Sequence, residues 1–142
     1  MFLFYFSLGL AVLATGLYHI FQKSTPGDVH PFVSLTVTYI VAALASVLLI
    51  PTLPLNGGLL HSLRQLNWVS YGLGLVLVGL EIGFLLAYRA GWNISLAAVI
   101  ANVAVTVLLV PVGLFLFREK VSAVNLIGVG VCVVGLIMVN YK

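Results

Sequence analysis

The chain has 142 residues, of which 63% are hydrophobic and only 6% are charged, with a net charge of +3. Soluble domains carry about 25% charged residues, so this composition cannot cover a water-facing surface and predicts a protein embedded in lipid. The basic residues form no cluster larger than Arg118 and Lys120 around Glu119, which argues against a nucleic-acid-binding surface.

Five hydrophobic runs predict an all-α integral membrane protein with five transmembrane helices. A spanning helix needs about 20 apolar residues, because each residue rises ~1.5 Å and the hydrocarbon core is ~30 Å thick. The predicted helices are residues 2–22, 31–50, 68–88, 95–117 and 122–140. They form one transmembrane domain over residues 1–142 and leave no room for a soluble catalytic domain. The first run has no basic segment before it and is longer than a signal-peptide core of about 7–15 residues, so we expect it to be retained.

Proline and glycine mark the connections between these helices. Pro26 and Gly27 break the chain after the first helix, and Pro31 suits the first turn of the second. Pro51 ends the second helix, and residues 53–67 are predicted to be the longest loop. Aromatic residues at predicted helix ends match the headgroup anchors of membrane proteins: Trp68, Tyr88, Trp92 and Tyr141.

Glu81 is the one acidic residue inside a predicted span, whereas Asp28 and Glu119 lie in loops. It lies about three residues from the middle of the third helix, which is ~4–5 Å along the axis. An ionised carboxylate at that depth costs roughly 2.5–3.5 kcal/mol on insertion scales, and the low dielectric favours the neutral acid until a proton acceptor or a cation arrives. These properties predict a proton-coupled site. The alternative is a protonated Glu81 that only packs between helices.

Polar side chains at helical spacing are the candidates for lining a cavity with Glu81. The proposed cavity residues are Thr15 and Tyr18 in the first helix and Asn102 and Thr106 in the fourth. Further polar positions on these and neighbouring helices are His19, Gln22, Thr38, Ser46 and Ser95. In the alternative interpretation, Ser and Thr bond the backbone of their own helix, and Asn102 bridges two helices.

Small residues predict helix contacts, because they let two backbones approach closely. Gly79 and Gly83 flank Glu81, and Gly128 and Gly135 are one heptad apart in the last helix. Pro111 interrupts the backbone bonding of the fourth helix and is a candidate hinge, although a bend for packing would explain it equally.

The basic residues divide evenly between the two faces of the predicted bundle. One face receives Arg64, Arg118 and Lys120, and the other receives Lys23, Arg89 and Lys142. Orientation normally follows an excess of Lys and Arg on cytoplasmic loops, and this chain has none. Two explanations stay open: one orientation prevails by a small margin, or copies insert both ways and pair as an antiparallel dimer.

The second part of the chain carries a family resemblance. Residues 87–140 resemble the second part of an EamA-type domain of the drug/metabolite transporter superfamily. The resemblance rests on a proline-bearing polar helix, the turn Leu116–Ser122 with its Glu-Lys pair, the Asn-Leu-Ile-Gly start at Asn125–Gly128 and a glycine-rich last helix. The opening Gly16–His19, followed by Lys23, is similar to the family's first helix.

The resemblance implies one five-helix repeat of a fold whose usual members have ten helices in two inverted repeats. Such a repeat would work with a partner, either an antiparallel copy of itself or a paired homologous subunit. The related small multidrug resistance proteins share a membrane glutamate between proton and cationic substrate, and they dimerise through glycines of the last helix. Glu81, Gly128 and Gly135 would take those parts, although the relatives' glutamate lies in the first helix and Glu81 lies in the third.

Together these features predict a secondary transporter or exporter of small metabolites in the inner membrane of a prokaryote, working by alternating access. Phosphate-binding loops, His/Cys metal spacing and catalytic triads are missing from the sequence, so we expect no cofactor, no metal and no enzymatic activity. Two alternatives stay open. One is a flippase subunit for lipid-linked sugars or polyprenyl phosphates, with Arg89 near the headgroups, and the other is a membrane assembly or regulatory subunit without transport.

Overall fold

The computed structural model describes residues 2–54 and 57–140, and these residues form helices joined by short connections, without strands. The helices are α1 (Phe2–Ser24), α2 (Pro31–Leu49), α3 (Gly58–Arg64), α4 (Trp68–Arg89), α5 (Ile94–Phe115) and α6 (Ala123–Asn140). A single 3-10 turn, Ile50–Thr52, follows α2. The predicted all-α membrane fold is confirmed, with helix ends within about two residues of those expected.

Four of these helices are long and apolar enough to cross a membrane. The spans are Leu3–Ser24, Pro31–Thr52, Trp68–Arg89 and Ile94–Phe115, each of 22 residues, or ~33 Å at 1.5 Å per residue. The apolar helix Ala123–Val139 is shorter, at roughly 25 Å. Large apolar side chains such as Leu75 and Phe115 project outward, which is the arrangement that a lipid solvent favours.

The first compact unit runs through Ala90 and contains α1 to α4. Within this unit, α4 packs against both α1 and α2. The small core of the unit includes the buried side chains of Leu35 and Leu85. The Asn67 side chain caps α4 by accepting a hydrogen bond from the backbone N–H of Val69 at 3.0 Å. This unit therefore places one long helix between two others.

An arginine fixes the connection between α1 and α2. The Arg89 Nη2 donates hydrogen bonds to the backbone oxygens of Pro26, at 3.0 Å, and Val29, at 2.6 Å. The α1–α2 connection and the end of α4 thus lie at the same end of the unit, as helices that cross a membrane in alternating directions require.

The segment between α2 and α4 corrects one prediction. Residues 53–67 were expected to form a loop, but Gly58–Arg64 is the helix α3. Gly57 and Gly58 turn the chain into it with φ of 87° and 81°, which side-chain-bearing residues rarely adopt. The same glycines that look like helix breakers in the sequence act as the entry to a short helix.

The second compact unit begins at Gly91 and is a hairpin of α5 and α6. α5 continues through Pro111 and ends one turn later at Phe115. The backbone N–H of Glu119 then donates to the oxygen of Gly113 at 2.9 Å, and Arg118 takes the left-handed conformation with φ of 53°. Glu119 is exposed, as a solvated loop charge would be, and its carboxylate lies over Gly113. The role of Pro111 as a hinge stays a prediction.

Candidate functional site

A cleft of about 180 Å³ opens within the first unit, among side chains of α1, α2 and α4. Its lining residues are Tyr18, Phe21, Gln22, Thr25, Thr38 and Glu81. Glu81 is half-buried and lies eight residues before the end of α4 at Arg89, or ~12 Å along the axis. The cleft therefore joins the single carboxyl group of the predicted spans to hydroxyl, amide and aromatic side chains.

Gln22 connects α1 directly to Glu81. Its Nε2 donates to the Glu81 carboxylate Oε2 at 2.8 Å and to the Glu81 backbone oxygen at 2.9 Å. The same nitrogen lies 3.4 Å from the Tyr18 hydroxyl oxygen, one helical turn earlier on α1. A carboxylate that accepts an N–H bond is stabilised in its charged form, whereas burial away from water stabilises the neutral acid. The site contains both opposing effects.

An aromatic cluster packs beside the cleft and joins α1 to α4. The His19 Nδ1 and the Tyr88 hydroxyl are hydrogen-bonded at 2.8 Å, and both side chains are buried. The ring of Phe84 lies edge-on to Tyr18 and to His19, with centroid distances of 5.9 and 4.8 Å. Lys23 adds a further link, since its Nζ donates to the Tyr88 backbone oxygen at 3.3 Å. Two hydrogen bonds and two edge-on ring contacts thus hold the end of α1 against α4.

Tyr39 contributes a buried hydroxyl from α2. Among the described residues, its Oη and the Nε of Arg89 are buried without a hydrogen-bond partner. Thr38, the neighbour of Tyr39, lines the cleft. α2 therefore also contributes a hydroxyl group, that of Thr38, to the lining of the cleft.

The structure brings together only part of the set of residues selected from the sequence. Tyr18 and Glu81 share the cleft. Thr15 lies on the exposed part of α1 and donates to the backbone oxygen of Ala11 at 2.8 Å. Asn102 and Thr106 are exposed on α5 in the second unit, and Thr106 donates to the oxygen of Asn102 at 2.8 Å. A cavity shared by both units stays a prediction.

The threonines Thr15 and Thr106 bond the backbone of their own helix, as the alternative interpretation expects. Thr38 does the same, donating to the oxygen of Ser34 at 3.1 Å, although it also lines the cleft. A hydroxyl satisfied in this way keeps its oxygen as an acceptor.

The four selected glycines lie on open helix surfaces. A side-chain carbon added at Gly79, Gly83, Gly128 or Gly135 would have no described atom within 4 Å. These positions leave room for another helix. Their role in dimer packing stays a prediction.

Two cleft residues stand out from the structure rather than from the sequence, namely Phe21 and Thr25, whereas Gln22 and Thr38 were already among the polar candidates. Gln22 is four residues after Tyr18, so the two share a face of α1, and Thr25 follows the end of α1, where its hydroxyl donates to the Phe21 backbone oxygen at 3.1 Å. The spacing of Tyr18 and Gln22 was the available signal, but it does not say which neighbouring helix the face contacts. No group of three His, Cys, Asp or Glu side chains in the described part of the chain is placed to hold a metal ion.

Comparison with known proteins gives one match. A family model described as the EamA-like transporter family matches residues 3–141. No curated protein and no solved structure matches the chain. The family match covers both units of the fold, including the whole cleft.

Proposed function

We propose a function from one premise: the chain belongs to the EamA-like transporter family. It is a multi-pass membrane protein that contacts the lipid bilayer, and the family's members transport small substrates. We infer that it works by alternating access and exchanges a proton for its substrate at Glu81. The observation that carries this inference is the Glu81 carboxyl group, which faces a cleft of about 180 Å³ and is hydrogen-bonded there to Gln22.

The chemistry of the cleft suits such an exchange. A neutral Glu81 fits the low dielectric of the membrane, and a charged Glu81 is stabilised by the Gln22 N–H. A substrate that interacts with the carboxylate can therefore displace the proton. The hydroxyl of Tyr18 and the ring of Phe21 offer a polar and an apolar contact on the opposite wall. Substrates of metabolite size are the expected cargo.

We also propose that two copies pair in antiparallel orientation in the inner membrane of a prokaryote. The balance of three basic residues on each face supports insertion in both orientations. The open surfaces at Gly128 and Gly135 support close approach of a second helix. Two inverted copies would create the symmetry that inverted repeats supply in single-chain transporters. If the two Glu81 side chains face each other, their titrations are coupled.

The flippase alternative is less well supported. It predicts basic residues such as Arg89 near the lipid headgroups, but the Arg89 Nη2 is bonded to the carbonyl oxygens of Pro26 and Val29. An arginine occupied in this way stabilises a connection between helices. A subunit without transport would show changes in stability, but none in flux, when Glu81 is replaced.

The test is transport into proteoliposomes across a pH gradient, with a panel of metabolites. We expect wild-type protein to drive uptake of at least one solute and Glu81→Gln to abolish the gradient-dependent part. Glu119→Gln is the matched control, because it makes the same change on an exposed turn outside the cleft, and its flux should equal that of wild type. Flux through Glu81→Gln that equals wild-type flux at every pH would contradict proton exchange at this residue.

A further inference from the structure

We propose that Gln22 is a positioning residue that couples the protonation of Glu81 to the contact between α1 and α4. This inference rests on the proposed function for its biological meaning, since Glu81 must change protonation during the cycle. The geometry behind it is independent of transport. One amide nitrogen on α1 contacts two oxygens of the same residue on α4, the carboxylate Oε2 at 2.8 Å and the backbone oxygen at 2.9 Å.

The donor inventory explains why an amide suits this position. A glutamine NH₂ has two hydrogens, so it can satisfy both Glu81 oxygens at once. The bond to the backbone oxygen is between neutral groups, but the bond to a charged carboxylate is roughly twice as strong as its neutral counterpart. Only the second bond changes in strength when Glu81 gains a proton. Gln22 therefore anchors α1 through one constant bond and one bond that depends on protonation.

Other bonds of the α1–α4 contact are made away from the Glu81 carboxyl group. His19 and Lys23 of α1 contact Tyr88, at its hydroxyl and at its backbone oxygen. These bonds are made almost two turns further along α4 than Glu81. Gln22 bonds the Glu81 carboxylate directly, and Tyr18 of α1 also lies beside that carboxylate, so the Gln22 bond is one direct route by which the charge of Glu81 acts on α1.

Linkage gives the direction of the effect. If the charged carboxylate strengthens the α1–α4 contact, then an intact contact must favour the charged carboxylate by the same factor. Loss of the proton then tightens α1 against α4, and gain of the proton loosens it. Because α1 supplies three of the six residues that line the cleft, this movement would change access to Glu81.

The helices packed around Glu81 carry other titratable groups. α1 brings Tyr18 into the cleft that Glu81 lines, and α2 carries Tyr39, whose neighbour Thr38 lines the same cleft. Phenols stay neutral across the physiological range. His19 on α1 and Tyr88 on α4 form their own buried pair beside the cleft, so the readout must separate the histidine from the carboxyl group.

Infrared difference spectroscopy of reconstituted protein gives that separation. The C=O stretch of a protonated carboxyl group can be followed through a pH titration, and the Glu81 band is assigned by its loss in Glu81→Gln. In Gln22→Met, which keeps the side-chain length and removes the amide, we expect the midpoint to move up by about one pH unit, a tenfold change in proton affinity. An unmoved midpoint overturns the proposal.

Two further variants serve as a control and as a replacement in this titration. Gln65→Met makes the same substitution at the exposed end of α3, where the amide bonds His61, and it should leave the Glu81 midpoint unchanged. If Gln22→Met fails to fold, Gln22→Asn replaces it, since one missing methylene draws the amide away from Glu81. It should move the midpoint in the same direction, and a folded Gln22→Asn with the wild-type midpoint overturns the role.

Hydrogen–deuterium exchange tests the coupling to α1. After correction for the intrinsic pH dependence of exchange, residues 18–24 should exchange more slowly above the Glu81 midpoint than below it. This difference should vanish in Gln22→Met, and equal protection on both sides of the midpoint in wild type overturns the coupling. Neither readout needs transport. A failed flux assay would therefore contradict the proposed function alone, and an unmoved midpoint would contradict the role of Gln22 alone.

Discussion

The buried bond between His19 and Tyr88 allows a quantitative test of how α1 is held against α4. Tyr88→Phe removes the hydroxyl that lies 2.8 Å from the His19 Nδ1, and it leaves that nitrogen in a buried position. Leaving a buried polar group without a partner costs about 1–3 kcal/mol in water-soluble proteins. Hydrogen bonds between membrane helices average ~0.6 kcal/mol, with a maximum near 1.7. Since this bond is short and both side chains are buried, we expect a loss of about 1–2 kcal/mol in the free energy of unfolding.

The assay is reversible unfolding in detergent, applied to a double-mutant cycle of Tyr88→Phe and His19→Leu. The double variant should lose less stability than the sum of the single variants, by about 1 kcal/mol, because either change alone already breaks the bond. Tyr71→Phe is the control, since Tyr71 lies exposed on the same helix, and it should change stability by less than about 0.5 kcal/mol. A coupling below about 0.3 kcal/mol, within the usual error of additivity, would refute the account of this contact.

Three further predictions follow from other parts of the chain. Arg89→Ala should loosen the α1–α2 connection by removing its bonds to Pro26 and Val29, and limited proteolysis should then cut between α1 and α2 faster than in wild type. Gly57→Ala should destabilise the protein by about 1–2 kcal/mol in a thermal unfolding assay, because φ is 87° there and an added Cβ would lie 2.8 Å from the His61 ring. Gly74→Ala is the matched control, since a Cβ added there meets no neighbour within 4 Å. The antiparallel dimer is tested with the variant Gln65→Cys in a chain whose exposed Cys132 is replaced by Ala. The new cysteine should react with an impermeant reagent from both sides of the membrane. Labelling from one side alone would contradict the antiparallel dimer.

The spans could be predicted from sequence because crossing a bilayer imposes a minimum length on an apolar helix. Pro31 marked the start of α2 for a local reason, since its fixed φ suits the first helical turn. The helix α3 could not be predicted in the same way. Its seven residues depend on the positive φ of Gly57 and Gly58, and a glycine pair in a sequence is equally compatible with an open loop.

The sequence was sufficient to predict Glu81 as the centre of the candidate site, but not the contact that Glu81 makes with Gln22. Glu81 stood out because a carboxyl group inside an apolar helix is energetically expensive. The pairing of Glu81 with Gln22 depends on which faces of α1 and α4 meet. In helices that are hydrophobic on all sides, periodicity does not encode the contact face, so the sequence could group Tyr18 with Gln22 but could not assign their partner.

Proton release on substrate binding tests the central claim most directly. Purified protein in weakly buffered detergent solution is mixed with a solute that the proteoliposome panel shows to be transported, and the pH change is recorded. The exchange at Glu81 predicts that wild type releases up to about one proton per chain and that Glu81→Gln releases none while Glu119→Gln behaves as wild type. Substrate binding without proton release from wild type, or equal release from Glu81→Gln, would contradict the account.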